Sequence, residues 1–387
     1  MSSPVVISLP RSKSIVIRCL IVNYLKNRTL LPVCNNDAND VIIVHNALRE
    51  INLSLKKIPQ SSNKPIVIDV EDCGAAYRFL MALLAVTKGK WLLTGTTRLL
   101  QRPILPLVHF LNSKGASIEK TESGWLIEGK ELNINSIEID TSETSQFASA
   151  VMMVVGSKNQ SSRFNSYGLT VLQSYDLQNP YIEMTQTILN NFEKQPEMVI
   201  LADWSAAIFW FANALLVPNA HYFLENLHFD GLQGDAKIAS WFQKWGVCIT
   251  EKEKGIEVKH CHKIEIPKQH IDVKHTPDLA QILAVLSVCY PFQLTLSGLK
   301  NINLKESNRL DITVKELSKF TKIDKFSEDV IIINKRTEKL PSIFQFDSYN
   351  DHRFVMAWAL FKNFGTVKIQ NVDCVKKSYP GFEKIFN

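Results

Sequence analysis

Short runs rich in Val and Ile recur along the chain, and each leads into an apolar helical pattern that opens on a polar or charged cluster. These openings fall near Ser12, Asp72, Thr144, Asp203, Asp278 and Asp351, a period of about sixty residues. Alternation of apolar and polar positions predicts first strands at 5–9, 65–70, 137–141 and 199–202, and i, i+3, i+4 apolar spacing predicts the helices. Second helices are expected to begin near Asp40, Pro103, Tyr181, Asp235, Glu306 and Tyr379, with strands such as 91–94, 222–224, 294–296 and 367–370 between the two helices. Several second helices are followed by a glycine or polar turn and a β-hairpin. The stretches 111–127 (LNSKGASIEKTESGWLI) and 242–258 (FQKWGVCITEKEKGIEV) match each other in this respect. The repeating unit therefore reads strand, helix, strand, helix, strand, strand.

Six such units divide into two α/β domains of three. Leu9-Pro10 breaks the chain just before the first charged helix, so the first strand can complete the domain made by the C-terminal half. The expected boundaries are 1–11 plus 202–387 for one domain and 12–201 for the other, with a hinge that implies closure over substrate.

Composition narrows the class. At 387 residues the chain is too long for a single core, and it has no low-complexity tract. Residues 1–9 lack the pattern of a signal peptide and no apolar run reaches membrane-spanning length, so a soluble, cytoplasmic protein is expected, without a membrane partner. A formal charge of +6 without a basic run argues against a nucleic-acid partner and suits cations gathered round acidic substrates. Seven cysteines, odd in number and without a C-x-x-C pair, read as a reduced, intracellular set. His260, Cys261 and His262 are adjacent on one strand and point to opposite faces, so no metal is expected there.

A helix N-terminus exposes unpaired N–H groups and the positive end of the macrodipole, which makes these openings natural anion seats. In LPRSKSIVIRCLIVNYL, Ser12 can cap, and Ser14 and Arg18 lie one turn apart on one face. Lys13 stands in the first turn, where a cation opposes the dipole unless an anion intervenes; a solvated amphipathic helix is the alternative. Gly74 lies just inside a start, where it either lets a ligand approach the backbone or makes a tight turn, with Arg78 tethering the helix to a neighbouring loop. Arg102 precedes Pro103, which suits the first helical position and would hold the guanidinium at the helix mouth; otherwise it is a surface arginine.

Thr144, Ser145 and Gln146 offer hydroxyls and an amide, as a phosphate cradle or as ordinary caps. Asp203, before Trp204, reads as a cap at the domain crossing. Asp278 follows a proline before a nearly wholly apolar helix. Asn301, Lys305, Glu306 and Arg309 form the densest ionisable group, and the repulsion between Lys305 and Arg309 could be relieved by an anion or by pairing with Glu306 and Asp311. Asp351 can cap, placing His352 and Arg353 beside the positive dipole end, where an anionic ligand competes with internal pairing of Arg353 to Asp351 or Asp347.

In order along the chain, Leu9-Pro10-x-Ser-Lys-Ser, Lys305-Glu-Ser-Asn-Arg, Tyr349-Asn-Asp-His-Arg and Lys377-Ser-Tyr-Pro resemble the 5-enolpyruvylshikimate-3-phosphate synthases, over essentially the whole length. The resemblance implies the two-domain enolpyruvyl-transferase fold, each domain an inside-out α/β barrel of three βαβαββ units, acting as a monomer. It implies transfer of the enolpyruvyl group from phosphoenolpyruvate to the 5-hydroxyl of shikimate 3-phosphate, through a tetrahedral intermediate, with no metal or organic cofactor. By the same resemblance Lys13, Ser14, Arg18, Thr144, Ser145, Gln146, Tyr181, Asp278, Asn301 and Lys305 would hold shikimate 3-phosphate. Gly74, Arg102, Arg309, Arg353 and Lys377 would hold the donor, with Lys13 and Gln146 also near it. Asp278 would accept the hydroxyl proton, Glu306 and Lys13 would supply one, and His352 would orient.

Some positions depart from the family pattern: Asp72-Cys73-Gly74-Ala75 stands for Asn-Ala-Gly-Thr, Gln178-Asn179-Pro180-Tyr181 for Ser-x-Pro-Tyr, Val16-Ile17 for Ser-Asn, and Thr144 for a serine. A carboxylate at Asp72 would repel the donor phosphate unless it turns away as a cap. These differences keep open a non-catalytic or altered-specificity phosphometabolite-binding paralogue. The family is the glyphosate target, and open space above Gly74 would let glyphosate compete with the donor.

Overall fold

The computed structural model describes residues 3–57, 64–134, 136–158, 179–194, 199–262 and 265–386. Contacts group the chain into two compact units: a terminal unit of Met1–Ser12, Asn36–Ala38 and Leu201–Asn387, and an inserted unit of Lys13–Asn35 and Asn39–Ile200. The short return at 36–38 has a clear cause. Asn36 Nδ2 donates to Leu9 O at 2.9 Å, and Arg11 grips Asp37 through Nε (2.9 Å) and Nη2 (2.5 Å).

The chain opens on β1 (Val5–Ser8), part of the terminal unit. The inserted unit then runs α1 (Lys13–Leu25), α2 (Asn39–Lys57), β2 (Ile66–Asp69), α3 (Gly74–Val86), β3 (Gly89–Thr94), α4 (Thr97–Leu100), α5 (Leu105–Ser113), β4 (Ser117–Thr121), β5 (Gly124–Gly129), α6 (Gln146–Lys158) and α7 (Pro180–Lys194). The terminal unit resumes with α8 (Trp204–Leu216), β6 (His221–Glu225), α9 (Ile238–Lys244), β7 (Val247–Lys252), β8 (Gly255–His260), β9 (Gln269–Asp272), α10 (Ala280–Cys289), β10 (Leu294–Ser297) and α11 (Arg309–Leu317). It closes with β11 (Ile323–Lys325), β12 (Ile331–Ile333), β13 (Ile343–Asp347), α12 (His352–Trp358) and β14 (Thr366–Gln370), followed by the 3-10 turns Val372–Lys377 and Phe382–Phe386.

Three sheets share one topology. The orders β2-β3-β5-β4, β1-β6-β8-β7 and β9-β10-β12-β11 each start with a parallel pair and end in an antiparallel hairpin. The likeness reaches single residues. Gly124 and Gly255 open the last strand of their hairpins at φ of 153° and 152°, and a Cβ on either would collide with a carbonyl of the neighbouring strand, Leu93 O or Leu224 O. In both places only glycine lets the ladder close. The two hairpins expected at 111–127 and 242–258 are β4-β5 and β7-β8.

Elsewhere the repeat is incomplete. β13 and β14 form a two-stranded parallel sheet, and short 3-10 turns replace the helix expected near Tyr379. Residues 137–141 alternate as expected, with Ile137 and Ile139 buried between exposed Glu138 and Asp140, but among the described residues they pair with no strand. Alternation reports burial on one side, and a ladder also needs a partner edge. Residues 199–202 contribute only an isolated bridge from Ala202 to Arg11. Gln178, one of the departures from the family pattern, lies outside the described residues.

The cores are built on helices that are apolar all round. Every residue of α10 is buried, and α10 packs on α8, α11 and α12; α3 plays the same part in the inserted unit, against α6, α5 and β5. Each fully buried Leu, Ile or Val contributes about 1.5–3 kcal/mol, enough to hold helices whose starts carry unfavourable charge. Among the described residues no helix is long and apolar enough to cross a membrane.

The expectation of seven unpaired cysteines is corrected. Cys248 and Cys261 form a disulfide with Cα atoms 5.6 Å apart. The hairpin register places Cys248 opposite Lys259, so Cys261, two residues further, lies diagonally across on the same face. Reduction should lower the melting temperature by a few degrees, a loss of stability smaller than the about 3 kcal/mol of a free loop of this size, because the hairpin already holds the ends. Thermal melts with and without reductant check this: Cys248→Ser should show no difference between the two.

Candidate functional site

In the inserted unit four helix starts and Arg102 carry the candidate residues. Lys13 begins α1 and pairs with Asp40 Oδ2 at 3.0 Å. Further along α1, Arg18 is 2% exposed, and its acceptors among the described residues are neutral: Thr185 Oγ1 (2.7 Å), Ser14 O (2.9 Å), Ser149 Oγ (3.3 Å) and Tyr181 O (3.4 Å). The rings of Phe79 and Tyr181 lie 5.2 and 6.0 Å from its guanidinium carbon. Burial lowers its pKa to about 10, with Tyr181 and Cys19 acting weakly the other way. The guanidinium thus stays charged near neutrality, and among the described residues no carboxylate hydrogen-bonds it to offset its desolvation.

Gly74 begins α3, but the cap is Cys73, whose Sγ accepts from Ala76 N at 3.4 Å, and not Asp72. The helix starts one residue later than the acidic side chain would need. The space above Gly74 is not open either. A Cβ there would lie 2.6–2.9 Å from the Arg102 guanidinium, so the glycine makes room for that arginine. Pro103 does not begin a helix: α5 starts at Leu105 with Pro106 in its first turn, because Arg78 Nε and Nη2 take the Pro103 carbonyl at 3.2 and 2.9 Å. Arg78 is the tether the sequence suggests, and its Nη1 also donates to Gln146 Oε1 at 2.8 Å. Thr144 Oγ1 accepts from Gln146 N at 3.2 Å, Ser145 O accepts from Ser149 N, and Tyr181 lies in the first turn of α7.

The terminal unit carries a denser cluster. Arg309, 1% exposed at the start of α11, donates to Asp351 Oδ2 (2.8 Å) and Oδ1 (3.2 Å), Asp278 Oδ1 (2.9 Å) and Glu306 Oε2 (2.8 Å). Burial alone would lower its pKa, but the three carboxylates raise it overall. Arg353 Nη2 holds the other oxygen of Asp278 at 2.8 Å, and its Nη1 donates to Ser205 O at 2.9 Å. Arg353 therefore pairs internally, though with Asp278 rather than Asp351 or Asp347. Of the two acids expected to pair in the 305–311 cluster, Glu306 does bind Arg309, while Asp311 pairs with Lys325 instead. Asp351 caps α12 through Arg353 N (3.0 Å), and His352 Nδ1 lies 3.8 Å from Asp351 Oδ1. Asn301 and Lys305 flank a short 3-10 turn, and buried Lys377 ends another. Asp203 caps α8 by accepting from Ala206 N at 3.0 Å, as its position before Trp204 suggested.

Sequence reasoning passes over Thr185, Ser149 and the buried state of Asp235, and it gives Asp351 only part of its role. Thr185 and Ser149 hold Arg18, and Tyr181 to Thr185 is an i, i+4 step that could have flagged the first. Asp351 was read as a cap, yet it is also the main partner of Arg309. Asp235 was read only as a helix start; it is buried, accepts from Ser205 Oγ, and its pKa is pushed up to about 7. Burial is the chief cause, opposed by the Ser205 hydrogen bond and reinforced by the charge of Asp278.

A family model of EPSP synthase (3-phosphoshikimate 1-carboxyvinyltransferase) matches residues 6–386. A 3-phosphoshikimate 1-carboxyvinyltransferase from Bacteroides fragilis is 31% identical, covering 97% of this chain and 93% of its own. One from Buchnera aphidicola subsp. Schizaphis graminum is 28% identical over 98% and 95%. The chain belongs to the EPSP synthase family. The EPSP synthase of Acinetobacter baumannii superposes with a TM-score of 0.68 at 17% identity, over 98% of this chain and 94% of that one. The enolpyruvyl transferase NikO of Streptomyces tendae gives 0.66 at 11%, over 100% and 94%. These two likenesses show the EPSP synthase fold. They say nothing about single residues.

Folded Asp235 keeps its proton up to about pH 7, whereas the unfolded carboxyl loses it near its ordinary 3.8. Between these values the folded state binds the extra proton, so this group makes stability fall as pH rises through the window. Asp235→Asn should flatten that part of the profile. Urea midpoints from pH 4 to 8 check it; an unchanged slope in the variant would contradict the assignment.

Proposed function

We propose that this member of the EPSP synthase family transfers the enolpyruvyl group of phosphoenolpyruvate to the 5-hydroxyl of shikimate 3-phosphate and releases phosphate. The family match over nearly the whole chain supports the reaction, and the observation that carries the site reading is Arg18. A buried guanidinium met, among the described residues, by hydroxyls and carbonyls is a cation suited to an incoming phosphate, whose charge would offset its desolvation.

In this reading Lys13, Ser14 and Arg18, with Thr144, Ser145, Gln146 and Tyr181, bind shikimate 3-phosphate, and Asp278, Asn301 and Lys305 contact its hydroxyls and phosphate. Gly74, Arg102, Arg309, Arg353 and Lys377 serve the donor's phosphate and carboxylate. The chemistry is proton transfer among fixed charges. Asp278 accepts the proton of the 5-hydroxyl as its oxygen bonds to C2 of the donor, while Lys13 or Glu306 protonates C3. Loss of a proton from the new methyl group and cleavage of the bond to phosphate then restore the vinyl group. Arg309 and Arg353 each hold one oxygen of Asp278, which supports a role for it as an oriented base. His352, beside Asp351, orients.

Phosphate should appear only when both substrates are supplied. Lys13→Met should cut turnover by about a hundredfold or more with its melting curve little changed, and Asp278→Ala should cut it as far while also lowering the melting temperature, because Arg309 and Arg353 each lose a buried partner. Undiminished turnover would remove these roles, and calorimetric binding of both substrates without any phosphate release would overturn the reaction. Gly74→Ala should displace the Arg102 guanidinium at little cost in stability, because the clash is with the end of a flexible side chain. Steady-state kinetics should then show the KM for phosphoenolpyruvate raised several-fold and that for shikimate 3-phosphate nearly unchanged.

A further inference from the structure

Immediately before Asp351 the backbone takes a rare path. Tyr349 and Asn350 both have φ of 54°, two consecutive left-handed residues of which neither is glycine. Such a conformation persists only where its surroundings hold it. The holding contacts are local at the backbone, where Asp347 Oδ1 accepts from Tyr349 N (2.7 Å) and Ser348 Oγ from Asn350 N (3.2 Å). The side chain of Tyr349, by contrast, reaches α11. Its hydroxyl donates to Glu316 Oε1 at 2.6 Å and accepts from Lys315 Nζ at 3.3 Å, with the same ammonium 5.5 Å from the ring centre. Burial, the Glu316 hydrogen bond and the Glu316 charge all raise the phenol's pKa, so it remains a donor.

Glu316 is 3% exposed and stands seven residues after Arg309, two helical turns along the same face of α11. One face of α11 thus grips the 349–351 turn twice, through Arg309 on Asp351 and through Glu316 on Tyr349. The turn in turn aims α12, whose Arg353 holds Asp278.

We propose that Glu316 and Tyr349 are positioning residues, a latch that sets the left-handed turn so that Asp351, Arg353 and, through them, Asp278 take their working places. Neither latch residue touches the reacting atoms. The inference rests on the reading of Asp278 and Arg353 as site residues, but the latch itself can be tested apart from turnover.

Tyr349→Phe keeps the ring and removes the hydroxyl. Glu316→Gln keeps an acceptor, and Glu316→Leu does not. Hydrogen exchange at the amides of residues 351–355 should quicken in Tyr349→Phe and Glu316→Leu, stay close to wild type in Glu316→Gln, and be no faster in the Tyr349→Phe/Glu316→Leu double variant than in either single one. In steady state, kcat should fall about tenfold in the same two variants and recover in Glu316→Gln, with KM values moving less than kcat. Unchanged exchange in Tyr349→Phe, or fully additive losses in the double variant, would overturn the latch, as would faster exchange with kcat at the level of an active wild type. A wild type that releases no phosphate would instead sink the functional reading, and the exchange pattern would still decide whether the latch exists.

Discussion

Arg309 is the charge on which the terminal unit depends. A guanidinium buried this deeply carries a desolvation penalty of several kcal/mol, and removing one partner from such a cluster typically costs about 3–5 kcal/mol. Its three carboxylates come from three places: Asp278 ahead of α10, Glu306 one turn before α11, and Asp351 at the cap of α12. One buried cation therefore ties three helix starts together. Hydrophobic burial holds α10 and α12 in the core, but it is indifferent to a slide of one residue in a helix that is apolar all round. The bonds to Arg309 are not, because each needs an oxygen within a few tenths of an ångström.

The inserted unit solves the opposite problem. Arg18 is as buried as Arg309, but its hydrogen-bond partners among the described residues are neutral, and its proton affinity is lowered where that of Arg309 is raised. In the terminal unit, Asp278, Glu306, Asp351 and Asp235 surround Arg309 and Arg353, an excess of acids in which Asp235 stays protonated up to about pH 7. One arrangement holds a buried cation among neutral described partners, and the other balances buried cations with carboxylates.

Where the sequence could be read directly, the physics was local. The paired hairpins rest on glycines and polar turns spaced alike in 111–127 and 242–258. The Asp203 cap rests on one side chain and an amide three residues on. The errors lie where a second segment intervened. Arg78 takes the carbonyl of Pro103, so Pro106 and not Pro103 lies in the first turn of α5. Cys73 caps α3 in place of Asp72 because the helix begins one residue late. Ile137 and Ile139 are buried as their alternation requires, but no strand among the described residues pairs with them. Cys248 and Cys261 lack any motif spacing and meet only through hairpin register.

The sequence by itself determined the repeat, the two families of helix starts and the motifs that mark an EPSP synthase, since periodicity, caps and turn residues act within a few positions of the chain. It also named most of the cations. Which of them are already neutralised was decided by tertiary structure alone. Arg309 lies 31 residues from Asp278 and 42 from Asp351, and Arg18 lies 167 from Thr185. Coulombic attraction and desolvation depend on distance in space and on burial, and neither is written in the spacing of residues along the chain.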